Sequence, residues 1–241
     1  MMEWLWAPID AARGHEVGFA ISWHGRTMVL AWGILAPLAV MAARFFKVLP
    51  WQHWPRELDS QLWWRSHWLG QSAVLLLTVF GIGLVLDGKL GDSLHGRLGY
   101  AVLVLTLAQI ALGVFRGSKG GPTAPAADGS LHGDHYDMTP WRLMFELVHK
   151  STGYALLALA GVTIVLGLWD ANAPRWMWIG LAGWWIALAG LSLTLQRKGH
   201  AVDTYQAIWG PGEEHPGNQR KSAGWGMRRR PMTEGEHVRS D

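Results

Sequence analysis

Four histidines stand near the starts of four apolar stretches: His24, His67, His95 and His149. An ionisable side chain inside an apolar span is costly to place there, and by default it marks a functional site. One such histidine could be a polar residue that bonds a neighbouring carbonyl. Four of them, one per span at matching depth, point to a shared task. Successive spans run in opposite directions, so the starts of the first and third share one side and those of the second and fourth share the other. His24 then pairs with His95, and His67 with His149. Each pair comes from two different helices, as cofactor sites in bundle cores do. Two facing imidazoles can ligate a haem iron from both sides, which leaves no open position for oxygen and favours electron transfer. The same residues could instead move metal ions or protons, without any haem. The other histidines (His15, His53, His132, His135, His200, His215 and His237) fall in loops or tails.

The spacing around the four is suited to a large flat cofactor. His95 and His149 share a His-x-x-x-Gly-Tyr pattern, with Gly99 and Gly153 one turn along the same helix face. A glycine there leaves room for a porphyrin edge, and Gly70 sits similarly after His67. Gly113 and Gly167 follow His95 and His149 by five helical turns, about 27 Å, and so return to the same face. They could flank the opposite haem, or simply let helices pack closely. His24-Gly25-Arg26 and His95-Gly96-Arg97 repeat a second trio. Arg26 and Arg97 either pair with haem propionates or snorkel to lipid headgroups. Gln109, midway along the third span on the His95 face, either bonds backbone or bridges two haem layers. His132 and His135, in HGDHYD, form a metal or substrate site or belong to a solvated loop.

The elements that must hold these residues are helices. Five apolar stretches, Val17–Ala43, His67–Leu86, Leu94–Phe115, Phe145–Trp169 and Trp176–Leu195, are each long enough to cross a hydrocarbon core of about 30 Å. Strand alternation is absent, and a bilayer demands that backbone groups pair internally. The expected organisation is a five-span transmembrane domain over residues 1–195, followed by a polar, extended or disordered tail over 196–241. The stretch from Gly120 to Pro140 reads as a solvated loop. The N-terminus lacks a basic leader, so the first span is expected to be retained.

Composition supports this assignment. Half the residues are hydrophobic and 16% are charged, against roughly 25% in soluble domains. The 17 tryptophans suit membrane–water interfaces. With no cysteine, disulfides, iron–sulfur clusters and covalently attached haem are excluded. The net charge of +3 reflects basic flanks of apolar spans, and no nucleic-acid partner is expected. Five basic residues (Arg13, Arg26, Lys89, Arg97 and Arg175) lie on the N-terminal side and the remaining sixteen on the other. The positive-inside rule puts the N-terminus outside and the C-terminus in the cytoplasm.

The chain resembles the cytochrome b561 family, especially its bacterial and DOMON-linked branch. The resemblance is carried by HGRTMVLAWGILAPLAVMAARFF, SHWLGQS, LHGRLGYAVLVLTLAQIALGVFR, VHKSTGYALLALAGVTIVLGL and, in the tail, DTYQAIWGPGEEHPGN. It implies an all-α membrane protein whose four-helix core bundle holds two b haems, one near each face. His24, His67, His95 and His149 take the ligand places. The basic ascorbate-contacting motif and the SLHSW-like motif of the animal and plant ascorbate reducers are missing, although Ser93-Leu94-His95-Gly96 echoes the latter. Ascorbate is therefore not the expected donor. The expected function is transmembrane electron transfer to a quinone, a metal ion or a separate redox protein, in a bacterial inner membrane. The alternative is a haem-binding accessory or anchor subunit of a larger respiratory or photosynthetic complex. No DOMON domain is fused here, so an extracytoplasmic partner would be a separate chain.

Overall fold

A computed structural model describes residues 2–86, 93–122 and 124–230. Lys89 and His237 lie outside the described residues. Five helices are long and apolar enough to cross a membrane: Phe19–Phe45, Leu62–Gly83, Leu94–Val114, Pro140–Asp170 and Arg175–Arg197. Among the described residues the only β pairings are two isolated bridges, Pro8 with Pro174 and Val202 with Arg228. Along the spans, Leu76, Phe80, Val104 and Ile186 are each more than half exposed. So much bare hydrocarbon on helix flanks would be untenable in water, and it is the surface a lipid-embedded protein presents. The protein is an all-α integral membrane protein.

The described residues fall into two compact units. The first takes residues 2–41, 66–109 and 153–194, and the second takes 42–65, 110–152 and 195–230. The core of the first unit contains Ala31, Trp32, Ala36, Val74, Val102, Leu156, Ala160 and Ile164. Its small residues let helices approach closely, the main source of packing energy where lipid is as apolar as the core. The first span carries a π-helical stretch at Val29–Leu35, with Pro37 just beyond. Pro37 has no N–H to offer Gly33 in an α-helical pattern. The freed Gly33 carbonyl accepts instead from the indoles of Trp184 at 2.9 Å and Trp185 at 3.3 Å. Trp32 Nε1 donates to Thr78 Oγ1 at 2.9 Å, and that hydroxyl donates on to the Val74 carbonyl. In this way two helices are cross-linked without an orphaned polar group.

The fourth span starts at Pro140, five residues before the sequence-based boundary. Proline at the first helical position and Thr139 before it are the reasons: the Thr139 hydroxyl accepts the Arg142 backbone N–H at 3.3 Å. The charge that obscured this start, Arg142, is paired with Glu146 at i,i+4 spacing, and Lys150 shares the same carboxylate. Arg142 Nε and Lys150 Nζ lie 3.1 and 2.6 Å from the Glu146 carboxylate.

The tail departs most from expectation. It is folded through residue 230 rather than extended. Asp203 caps a helix at Thr204–Trp209 by accepting the Tyr205 N–H at 2.8 Å, and every residue of that helix is buried. Tyr205, Ile208 and Trp209 pack with Met138. Arg229 clasps the segment by donating to Asp203 and to the carbonyls of Gly217, Asn218 and Arg220. Lys47 Nζ reaches the Val202 carbonyl at 3.0 Å, and Arg44 that of Trp225 at 3.0 Å.

Candidate cofactor site

The first unit brings His24 and His95 together. His24 lies in the second turn of the first span, and His95 is the second residue of the third. The Nδ1 of His24 donates to the Gly81 carbonyl at 2.8 Å, and that of His95 to the Thr163 carbonyl at 2.9 Å. A carbonyl only accepts, so each Nδ1 carries a proton, and in the neutral form the Nε2 lone pair is the one available to a metal. The ring centroids are 5.9 Å apart with planes at 88°. Two metal–nitrogen bonds of about 2 Å each, plus the offset of each Nε2 from its ring centre, ask for about 6 Å. The residues present therefore fit a single iron between two imidazoles.

Glycines shape the surroundings in two different ways. At Gly99, Gly153, Gly25 and Gly113 an added Cβ would meet nothing within 4 Å, which is the open space a macrocycle edge needs. At Gly167 a Cβ would lie 2.8 Å from His95 Cε1, so this glycine seats the imidazole itself. Gly70 is a packing glycine, since its Cβ would press on Ala39 Cβ at 2.8 Å.

His67 belongs to the first unit, with Nδ1 3.3 Å from the Ala39 carbonyl. His149 belongs to the second, its ring stacked on Phe145 at 5.2 Å. Arg26 and Arg97 are exposed, and the Arg26 guanidinium stands 5.2 Å over the Trp23 ring. Gln109 is half-buried. In the loop, exposed His132 pairs with Asp137 at 3.1 Å, whereas His135 is 3% exposed. No cluster of three or more His, Cys, Asp or Glu side chains suited to a metal ion occurs among the described residues.

Sequence reasoning missed the polar cluster of the second unit. Burial, followed by the neighbouring Arg142, pushes the His135 imidazole down to about 3. Burial, followed by Lys150, pushes Lys47 down to about 7. The signal that could have found the cluster is the run Asp203–Trp209, a capping residue followed by aromatic and aliphatic residues at helical spacing.

Residues 23–118 match the family model of eukaryotic cytochrome b561. Over that stretch the chain is similar to the cytochrome b561 family. That match contains His24, His67 and His95, and His149 follows it. The family binds b-type haem. Among relatives, the chain is 26% identical over 148 residues to a cytochrome b561, DM13 and DOMON domain-containing protein of Arabidopsis thaliana, covering 60% of this chain and 14% of that one. It is 27% identical over 161 residues to a putative ferric-chelate reductase 1 of Xenopus laevis, covering 64% and 24%. It is 28% identical over 173 residues to ferric-chelate reductase 1 of Bos taurus, covering 67% and 25%. The chain thus spans a quarter or less of the length of these curated relatives. No solved structure matches it.

Proposed function

We propose that this chain carries electrons across a membrane through two b haems, one between His24 and His95 and one between His67 and His149. The observation that carries the reading is the His24–His95 pair: two imidazoles, each anchored through Nδ1, with ring centres at the spacing one iron requires. When bound, the haem supplies a one-electron couple, and the protein's task is to hold it and tune it. His24 and His95 would hold the iron between them, and two histidine ligands would favour electron transfer over oxygen chemistry. Gly99, one turn from His95, leaves space beside the ring. The apolar flanks keep the interior dry. The names of two relatives point to a ferric chelate as terminal acceptor, with a quinone or a separate redox protein as the other partner. The C-terminus lies in the cytoplasm of a bacterial cell and the N-terminus outside, in keeping with the basic-residue asymmetry.

The test is a reduced-minus-oxidised spectrum of the purified protein with haem counted per chain. Two haems and two redox components are expected. His24→Ala and His95→Ala should remove the same component, and His67→Ala and His149→Ala the other. Loss of one component by both His24→Ala and His67→Ala would refute the pairing. A purified protein without any haem would refute the function.

A further inference from the structure

In the second unit Trp63 Nε1, His135 Nε2 and Trp209 Nε1 are buried and make no hydrogen bond to another described residue. Buried donors are almost always satisfied, and each exception calls for an explanation. These three come from separate parts of the chain. Trp63 opens the second span, His135 sits in the loop before the fourth, and Trp209 ends the short tail helix. They nevertheless share a neighbourhood. Trp63 packs on the cluster that contains Trp209. The His135 and Trp209 rings are 6.0 Å apart, and those of His135 and Tyr205 are 5.8 Å apart.

The nearest acceptor does not serve. His135 Nε2 is 3.8 Å from Glu146 Oε1, too far for a hydrogen bond. That carboxylate is already taken by Arg142 and Lys150. Around His135 stand Arg142, Lys150, Arg116 and Lys119 against the carboxylates of Glu146 and Asp59. The cations outnumber the carboxylates, so the place favours an added anion. Both indole N–H groups can only donate, so what is missing is an acceptor.

The helix says where such an acceptor comes from. Glu146 lies one turn before His149 on the same helix face, and Phe145 stacks on the His149 ring. His135 therefore abuts the turn that presents His149. A b haem carries two propionate carboxylates on one edge, and they need donors and positive surroundings. We infer that His135, Trp63 and Trp209 donate hydrogen bonds to a propionate of the haem held by His149. This inference rests on the two-haem reading above. It gives the folded tail a task, because Trp209 brings one of the three donors. It also differs from the arginine role considered for Arg26 and Arg97, which lie in the first unit.

The experiment uses the full-length haem-loaded protein and the variants His135→Phe, His135→Gln and Trp209→Phe. Three quantities are read: the two-component redox titration, the rate of haem transfer to apomyoglobin, and the propionate bending mode in the resonance Raman spectrum. In His135→Phe one redox component should move to lower potential, because the carboxylate loses a donor that offsets its charge. Its haem should leave about tenfold faster, the loss expected for one hydrogen bond to a charged group. The propionate mode should shift, and the second component should stay unchanged. His135→Gln, whose amide can donate, should restore much of the wild-type behaviour. Trp209→Phe should move the same component in the same direction. If the wild type holds two haems and His135→Phe and Trp209→Phe both leave potentials, transfer rates and the propionate mode unchanged, ordered water fills the site and the inference is wrong. If the wild type holds one haem, lost in His24→Ala, the two-haem reading fails and takes the inference with it.

Discussion

Gly167→Ala tests the seating of His95 with a single methyl group. The new Cβ would stand 2.8 Å from His95 Cε1 and 3.1 Å from Nδ1. Carbon atoms settle at about 3.5–4.0 Å, so the ring must retreat by roughly 0.7 Å. The His95 Nδ1–Thr163 bond, now 2.9 Å, would open to about 3.6 Å, beyond hydrogen-bond range. Groups that orient a metal ligand in this way typically contribute 10–100-fold to metal affinity, about 1.4–2.8 kcal/mol. Alanine is the better helix former by about 1 kcal/mol, so the helix itself should not suffer. The assay is haem content per chain and transfer to apomyoglobin, read beside the two-component redox titration. The expected result is selective weakening of the component that His24→Ala removes, with the other intact. A Gly167→Ala protein with two haems, wild-type potentials and wild-type transfer rates would refute the argument that this glycine seats a ligand.

Gly99→Ala makes the opposite contrast. Its Cβ meets no protein atom, so the haem-free protein should gain up to about 1 kcal/mol of helix stability while haem binding weakens; equal haem content in the two proteins would remove Gly99 from the site. Lys47, depressed to about 7 from 10.5, should make docking of residues 200–230 pH-dependent. Between those values the unfolded segment binds the extra proton, so stability rises with pH, and below pH 7 the burial penalty is paid in full. Hydrogen-exchange protection of the tail should therefore increase from pH 7 to 10, and a decrease would contradict the sign. Arg229→Ala should cost about 1.5–3 kcal/mol of tail docking, seen as faster proteolysis of the tail, and Arg229→Lys should not rescue it fully because a compact ammonium cannot span the separate carbonyls and the carboxylate that the planar guanidinium reaches.

The spans were legible because a bilayer imposes length and apolarity on any segment that crosses it. The His24–His95 pairing was legible because antiparallel helices put alternate starts at one depth. The start of the fourth span was hidden by Arg142, whose pairing with Glu146 appears only once the helix is formed. The tail was hidden for a related reason. Its polar residues look solvated in isolation, yet Asp203, Gln206 and Arg229 are satisfied by the backbone of Tyr205, Arg230 and Asn218, which only the folded tail brings to them. Composition reports what a segment would prefer alone, and here long-range hydrogen bonds decide otherwise.

The anchoring of the histidines could not be read from the sequence at all, although its logic is simple. An imidazole that must hold its Nδ1 proton needs a carbonyl with a lone pair to spare. Gly81 offers one because it lies in the last turn of its helix, where carbonyls lack intrahelical partners. Thr163 is mid-helix, and its carbonyl can accept a second bond only if nothing blocks the approach. The residue one turn on is Gly167, the position where a Cβ would strike His95. His67 docks on Ala39 in the same way, with the small residue Ala43 one turn on. Small residues spaced four from an acceptor are therefore more than helix-packing devices in this protein. At Thr163 and at Ala39 they leave open the carbonyl that accepts from an imidazole Nδ1.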